Sequence, residues 1–194
     1  MRKFKPNFAK ALKKNFFMKD TDIVARELLG KVLVKSLKSG EILAGIIIET
    51  EAYLSDGDYA SHSATGKSKR NAPMFDDGGI IYVYKIYGIH HCLNIVTEKA
   101  GKGCAVLIRG ILPLSGIKRM KEFRGIENDV DLCNGPGKIA QAFSFDRSDN
   151  FKSIINPNLF IQNYLDVDIN SIKKSKRIGI SKSIELELRF FLKI

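Results

Sequence analysis

The run Ile46-Ile47-Ile48-Glu49-Thr50-Glu51-Ala52-Tyr53 constrains this chain more than any other stretch, because an apolar run passing into acids and an aromatic reads as a strand leaving a core. Strict alternation puts Ile46, Ile48, Thr50 and Ala52 on the core face and Glu49, Glu51 and Tyr53 on the other. The second set joins a carboxylate that can take a proton from water to a ring that can hold a flat ligand. The same spacing also fits a strand end emerging into solvent, where acids are common. A second strand signal, Ile80 to Tyr87, is rich in β-branched and aromatic residues. Gly88 and a return strand, His91 to Val96, follow it, so the two read as a hairpin. Strand signals dominate and lie close in sequence, which favours antiparallel pairing over β-α-β crossovers.

At 194 residues the chain is long enough for one domain, 1–194, with its own core, and residues 1–20 read as a short helix or a basic arm. No apolar run approaches the roughly 20 residues needed to span a bilayer. The N-terminus is basic but lacks the continuous apolar region of a secretory leader, so the expected compartment is the cytoplasm. Lys and Arg total 32 against 21 acids, a formal net charge of +11. Such an excess attracts polyanions, nucleic acid first among them, although a Lys-rich composition gives basic proteins without that purpose. The basic clusters are Lys3 to Lys14, Lys67 to Arg70, Lys118 to Arg124 and Lys173 to Arg177. Cys92, Cys104 and Cys133 are odd in number and widely spaced, which signals neither a disulfide framework nor a zinc site. His90, His91 and Cys92 are consecutive, and strand neighbours point to opposite faces, so no metal ligand set is expected there.

Elsewhere the pattern predicts a helix over Ile23 to Leu29, capped from Asp20-Thr21-Asp22 and stopped at Gly30. A strand over Lys31 to Leu37 turns at Ser39-Gly40 into the Glu51 strand. Cys104 to Leu112 reads as an apolar strand with one charge, Arg109. Such an arginine needs an acid, a phosphate or a carbonyl as partner, unless it lies on the solvent face of an edge strand. Pro113 is expected to close that strand and Ser115 to cap a helix over Gly116 to Phe123. Asn134-Gly135-Pro136-Gly137-Lys138 leads into a helical stretch whose start suits a phosphate, though the glycines also fit a plain turn. Strands are expected at Leu159 to Leu165, Arg177 to Ile180 and Leu186 to Ile194.

Several blocks occur in one order: Glu51-Ala52-Tyr53, Ala60-Ser61-His62, Arg70-Asn71 with Met74-Phe75, Tyr82-Val83-Tyr84 with Tyr87-Gly88, Asn94, Val106 to Arg109, and Asn134 to Lys138. In these the chain resembles the alkyladenine (3-methyladenine) DNA glycosylases, from about Ala25 to Phe145, with a weaker echo at Arg177-Ile178-Gly179-Ile180. The resemblance implies one α+β domain with a curved, open-barrel-like antiparallel sheet flanked by helices. It implies hydrolysis of the N-glycosidic bond of damaged purines in double-stranded DNA, with no metal or cofactor, by a monomer. It implies Glu51 as the base for water and Arg109 beside the water and the target phosphate. It implies Tyr53 on one face of the extruded base, with His62 and Tyr84 on the other. It implies Asn94 in a pocket floor that disfavours the guanine amino group, and Tyr87 as the ring inserted into DNA. Face geometry alone does not separate Glu49 from Glu51; the match at Tyr53 does. His90 stands where relatives carry an aromatic, and Glu187-Leu188-Arg189-Phe190 replaces a Trp-containing tail. Two other readings stay open: a noncatalytic nucleic-acid-binding module, and a glycosylase with lyase activity through a lysine amine, although no lysine matches the family's pocket positions.

Overall fold

A computed structural model describes residues 4–193. Lys3, which opens the first basic cluster, and Ile194, the end of the expected last strand, lie outside them. Along the chain run α1 (Lys14–Phe17), α2 (Thr21–Glu27), β1 (Val32–Ser36), β2 (Ile42–Tyr53), β3 (Ile81–Ile86), β4 (His90–Thr97) and β5 (Cys104–Ser115). Then come α3 (Ile117–Arg124), α4 (Pro136–Ala142), β6 (Ile155–Asn156), β7 (Leu159–Gln162), β8 (Ile172–Ser175) and β9 (Arg189–Leu192). The strands form one curled antiparallel sheet, an α+β half-barrel in the order β3-β4-β5-β2-β1-β7-β6. Strand β2 is its axis. One edge pairs with β5 throughout; the other is shared, by β1 up to Ile46 and by β9 from Glu49 to Glu51.

Helices α2, α3 and α4 cover one face of the sheet. Val24, Ala25, Met120, Ile139 and Ala140 pack there with Leu43, Ile47, Ala52, Leu93 and Ile108 in the main core. Burying such side chains contributes roughly 1.5–3 kcal/mol each for the larger ones. A smaller cluster on the other face joins Val32, Val34, Ala44, Ile46 and Phe160. Residues 4–20 lie against this body: Leu12 N–H donates to Ile161 O at 2.8 Å, and Phe17 is fully buried.

The alternation expected from Ile46 to Ala52 does not hold. Ile46 and Ile48 pack on the smaller cluster, whereas Ala52 enters the main core and Thr50 Oγ1 donates to Ala25 O in α2 at 2.8 Å. The cause is a pair of adjacent register shifts. Ile47 pairs with Ile111, Glu49 with Gly110 and Thr50 with Ile108, so Ile48 is extra on β2 and Arg109 is extra on β5. A bulge bends the strand and re-aims its side chains. Gly110 lets the strands close here, since a Cβ on it would meet Glu49 Cβ at 2.9 Å.

Three further expectations change. Pro113 does not close β5, which continues to Ser115, because Pro113 lies past the part of β5 paired with β4 and beside a register shift against β2. Helix α3 is preceded by Gly116 in the left-handed region (φ 75°), and Ser115 does not cap it. Arg177 to Ile180 is not a strand but a loop, whose Arg177 side chain turns to Asp58 and whose Ile178 N–H donates to the Glu51 carboxylate rather than to a partner strand.

Candidate active site

The open end of the sheet encloses a cavity of about 670 Å³, within the range of about 300–1,000 Å³ usual for small-molecule sites. Tyr53, His62, Tyr84, Tyr87, Asn94 and Arg109 all line it. Six of the seven residues singled out from the sequence therefore border one space. The seventh, Glu51, is wholly buried behind its wall.

The double bulge explains how Glu51 is held. It aims Arg109 at two acids of β2: Nε is 3.1 Å from Glu49 Oε1, and Nη1 is 3.4 Å from Glu51 Oε1. The lone charge in β5 is thus satisfied by carboxylates. Ile178 N–H donates to Glu51 Oε1 at 2.8 Å, and the Tyr53 hydroxyl donates to Oε2 at 3.0 Å. Tyr53, Arg109 and Ile178 line the cavity themselves, so three partners of Glu51 stand on its wall. Burial pushes the Glu51 pKa up, and Arg109, the Ile178 N–H, Tyr53 and Arg177 pull it back. Burial and then the Glu51 charge keep the Tyr53 phenol protonated well above its usual range, which preserves its role as donor. Glu49 lies on the same side, as alternation within this short stretch allows, but Arg189 Nε also occupies its Oε1 at 2.6 Å.

His62 sits in the long loop between β2 and β3. Asn71 pins that loop, donating from Nδ2 to His62 O at 2.7 Å and to Gly66 O at 2.9 Å. The His62 ring bonds to the Tyr82 hydroxyl through Nδ1 at 2.9 Å and meets Tyr84 at 80° with centroids 4.4 Å apart. The two rings therefore do not make one flat wall; one offers its face where the other offers its edge. Burial, assisted by the Arg70 charge, lowers the His62 pKa to about 4, so the ring is neutral near physiological pH. Asn94 Nδ2 donates to Tyr82 O (3.1 Å) and Cys92 O (3.3 Å), which fixes the amide and leaves Oδ1 as its acceptor.

Tyr87 lies at the other extreme. With Gly88 and Ile89 it forms the tip between β3 and β4, is 82% exposed, and has φ +51°. A tyrosine in the left-handed region is uncommon, and such strain collects at functional positions. Tyr59, also exposed, stands on the same cavity, and its side chain carries no pattern that reveals this from sequence.

The sequence also gave no sign of Asp58, a buried acid paired with Arg177, nor of the Ile178 N–H. Lys182 lines the cavity and is exposed, a lysine that the resemblance does not place there. Lys138 at the start of α4 is engaged by Asp131 (3.0 Å) and Asn134 (2.7 Å). Among the described residues no three His, Cys, Asp or Glu side chains converge as metal ligands, and no helix is long and apolar enough to cross a membrane.

Comparison with known proteins was made with this geometry in hand. The family model described as methylpurine-DNA glycosylase matches residues 15–194. A Chlorobium phaeobacteroides protein named "Putative 3-methyladenine DNA glycosylase" is 46% identical over 181 residues, 93% of this chain and 91% of the relative. Proteins of the same name from Prosthecochloris aestuarii, covering 92% of this chain and 86% of the relative, and from Methanoculleus marisnigri, covering 92% and 93%, are each 41% identical.

Proposed function

The chain belongs to the methylpurine-DNA glycosylase family, a family of hydrolases acting on methylated bases in DNA, and we propose that it extrudes a damaged purine into the cavity and hydrolyses its glycosidic bond with water activated by Glu51. A base inside a duplex is out of reach of the enzyme, so the nucleotide must leave the stack. Tyr87, exposed on a two-stranded tip at the cavity, suits the wedge that fills the gap. Tyr53 offers one stacking face, and His62 with Tyr84 bounds the opposite side. Stacking on aromatics contributes roughly 1–3 kcal/mol per base and tolerates different purines. Asn94 limits what fits on the floor.

Departure of the purine leaves a sugar with oxocarbenium character. The Glu51 carboxylate deprotonates water and stabilises that positive charge. Arg109 keeps the carboxylate ionised against the effect of burial. Product formation is then a free base and an abasic site in one hydrolytic step. The chain acts alone, as a monomer in the cytoplasm, and without a metal or other cofactor.

The observation that carries this reading is a buried Glu51 whose partners Tyr53, Arg109 and Ile178 all line the cavity. The test is release of free base from methylated duplex DNA by purified protein with chelator present, followed by borohydride. Hydrolysis predicts base release with no covalent protein–DNA product. A trapped adduct points instead to an amine nucleophile, for which Lys182 is the cavity's candidate. Binding without base release leaves a noncatalytic DNA-binding module.

A further inference from the structure

Asp58 and Arg177 form an ion pair with both side chains fully buried, although they are 119 positions apart. Arg177 Nη1 donates to Asp58 Oδ2 and Nη2 to Oδ1, each at 2.6 Å, and Nη1 also reaches Ala52 O at 3.0 Å. Asp58 further accepts the Leu54 N–H on Oδ2 (3.0 Å) and the Ala60 N–H on Oδ1 (3.1 Å). The pair thus locks the end of β2, the loop that carries His62, and the loop after β8 to one another. A fourth contact, Tyr59 N–H to Ser183 Oγ at 2.9 Å, closes the same seam.

Burying two charges is an expensive way to join loops, since well-packed apolar residues often hold as well or better. What this pair does beyond joining lies on its inner side. The Arg177 guanidinium stands over the Tyr53 ring, 4.6 Å from its centroid, and Arg177 does not line the cavity, so it backs the ring from inside. The next N–H along the chain, that of Ile178, is the one that donates to Glu51 Oε1. Tyr53 donates to Glu51 Oε2. Both carboxylate oxygens are therefore held by groups that Arg177 itself fixes, one through the backbone and one through the ring.

We propose that Asp58 and Arg177 are positioning residues for the proposed hydrolysis: their buried pair sets the orientation of Glu51 and the plane of Tyr53. The inference rests on Glu51 being the base, and it adds two residues that touch no substrate. The charged and titratable groups facing Glu51 are Arg109 from β5, Tyr53 from its own strand, Cys92 from β4 and Arg177 from the loop, with Glu49 one contact further away through Arg109 and Arg189 beyond Glu49. Loss of the pair removes the Arg177 charge and the anchor that aims the Ile178 N–H at Glu51, and both of these favour the ionised carboxylate. The acidic limb of the pH–rate profile should then move to higher pH.

The experiment compares wild type, Glu51→Gln, Arg177→Lys and the double variant Asp58→Leu/Arg177→Met. It reads melting temperature, affinity for undamaged duplex, and single-turnover excision of a methylated purine from pH 4 to 9. The double variant is expected to fold and bind DNA, because no charge is left unpaired. Its excision should fall by about 10-fold or more, in keeping with the loss of up to ~10²-fold that a misplacement of about 1 Å produces, and its acidic midpoint should rise. Arg177→Lys, which keeps the charge but not the two-pronged contact, should lie between. A folded double variant with the wild-type midpoint, whatever its rate, overturns the proposal and leaves the pair as a structural tie. If the variants do not fold, the Ile178 amide in the wild-type chain decides. Its nitrogen shift should follow the midpoint of excision and its proton should exchange slowly; a fast-exchanging amide that ignores pH overturns the proposal. Failure of the parent reading looks different: Glu51→Gln would then excise like wild type.

Discussion

The floor and the mouth of the cavity are built on opposite terms. At the floor, Glu51 is wholly buried, and both its oxygens are engaged by groups from three separate segments of the chain. At the mouth, Tyr87 is 82% exposed and rests on a three-residue tip with its backbone in the left-handed region. A group locked like Glu51 changes little between free and bound protein, so it can serve the bond-breaking step, which needs preorganised charge. A group exposed like Tyr87 stabilises nothing until DNA arrives, so it can serve opening of the duplex. Each prediction below breaks or sharpens that division.

The largest effect is expected at the floor. Glu51→Gln should keep affinity for DNA and lose at least about 10²-fold in single-turnover excision, because only the transition state uses the base. Glu49→Gln, by contrast, should cost less than Glu51→Gln, since the cavity-lining Tyr53 hydroxyl and Ile178 N–H turn to Glu51, while Glu49 is held by Arg109 and Arg189. If the order is reversed, Glu49 is the base and the floor has been assigned to the wrong acid. Next comes Tyr53→Ala, which removes a stacking face and a Glu51 partner together. Its loss, roughly 10-fold or more from stacking alone, should persist on a lesion that is already unpaired.

The residues that could be read from sequence and those that could not divide along similar lines. Tyr87 was legible because Gly88 follows an aromatic strand, a local signal that fixes the turn. The hairpins β1–β2, β3–β4 and β4–β5 were legible for the same reason, since those strands are neighbours in sequence, whereas the pairings of β2 with β5 and β9 and of β1 with β7 join distant segments. The phase of β2 was not: alternation holds on each side of the bulge at Ile48, but nothing in the run shows that partner strand β5 inserts Arg109 beside it. Arg109 announced that it needed a partner without saying which. Arg177 showed only as the start of a weak block and the end of a basic cluster, and Asp58 not at all, because pairing across 119 positions leaves no local trace. Block order, through the match at Tyr53, chooses Glu51 over Glu49 where spacing does not, and the two Gln variants test that choice.

Stability should show a smaller mark of the floor. The folded-state pKa of Glu51 lies above its ordinary value of 4.5, so the folded chain holds this proton more tightly than the unfolded one. Its contribution is therefore present at low pH and is lost as pH rises from about 4.5 through the raised value. Glu51→Gln should accordingly melt at or above the wild-type temperature near neutral pH, with the advantage fading towards pH 4. A variant that is markedly less stable at neutral pH would mean that Arg109 needs Glu51 more than Glu51 suffers from burial. The smallest effect is a null one. His62 titrates at about 4 rather than 6.5, so excision should show no inflection near pH 6.5 from this residue, and His62→Gln should leave that part of the profile unchanged.

The division between floor and mouth is tested most directly by Tyr87→Ala, assayed by single-turnover excision of one lesion in two settings: paired normally, and opposite an abasic site. Alanine keeps the same strained turn and removes only the ring. If Tyr87 acts in opening, the variant loses excision on the paired substrate and recovers most of it on the unpaired one, where a few kcal/mol less of stacking and pairing must be broken. Equal losses on the two substrates would contradict the account, and would make Tyr87 part of the chemical site rather than the wedge.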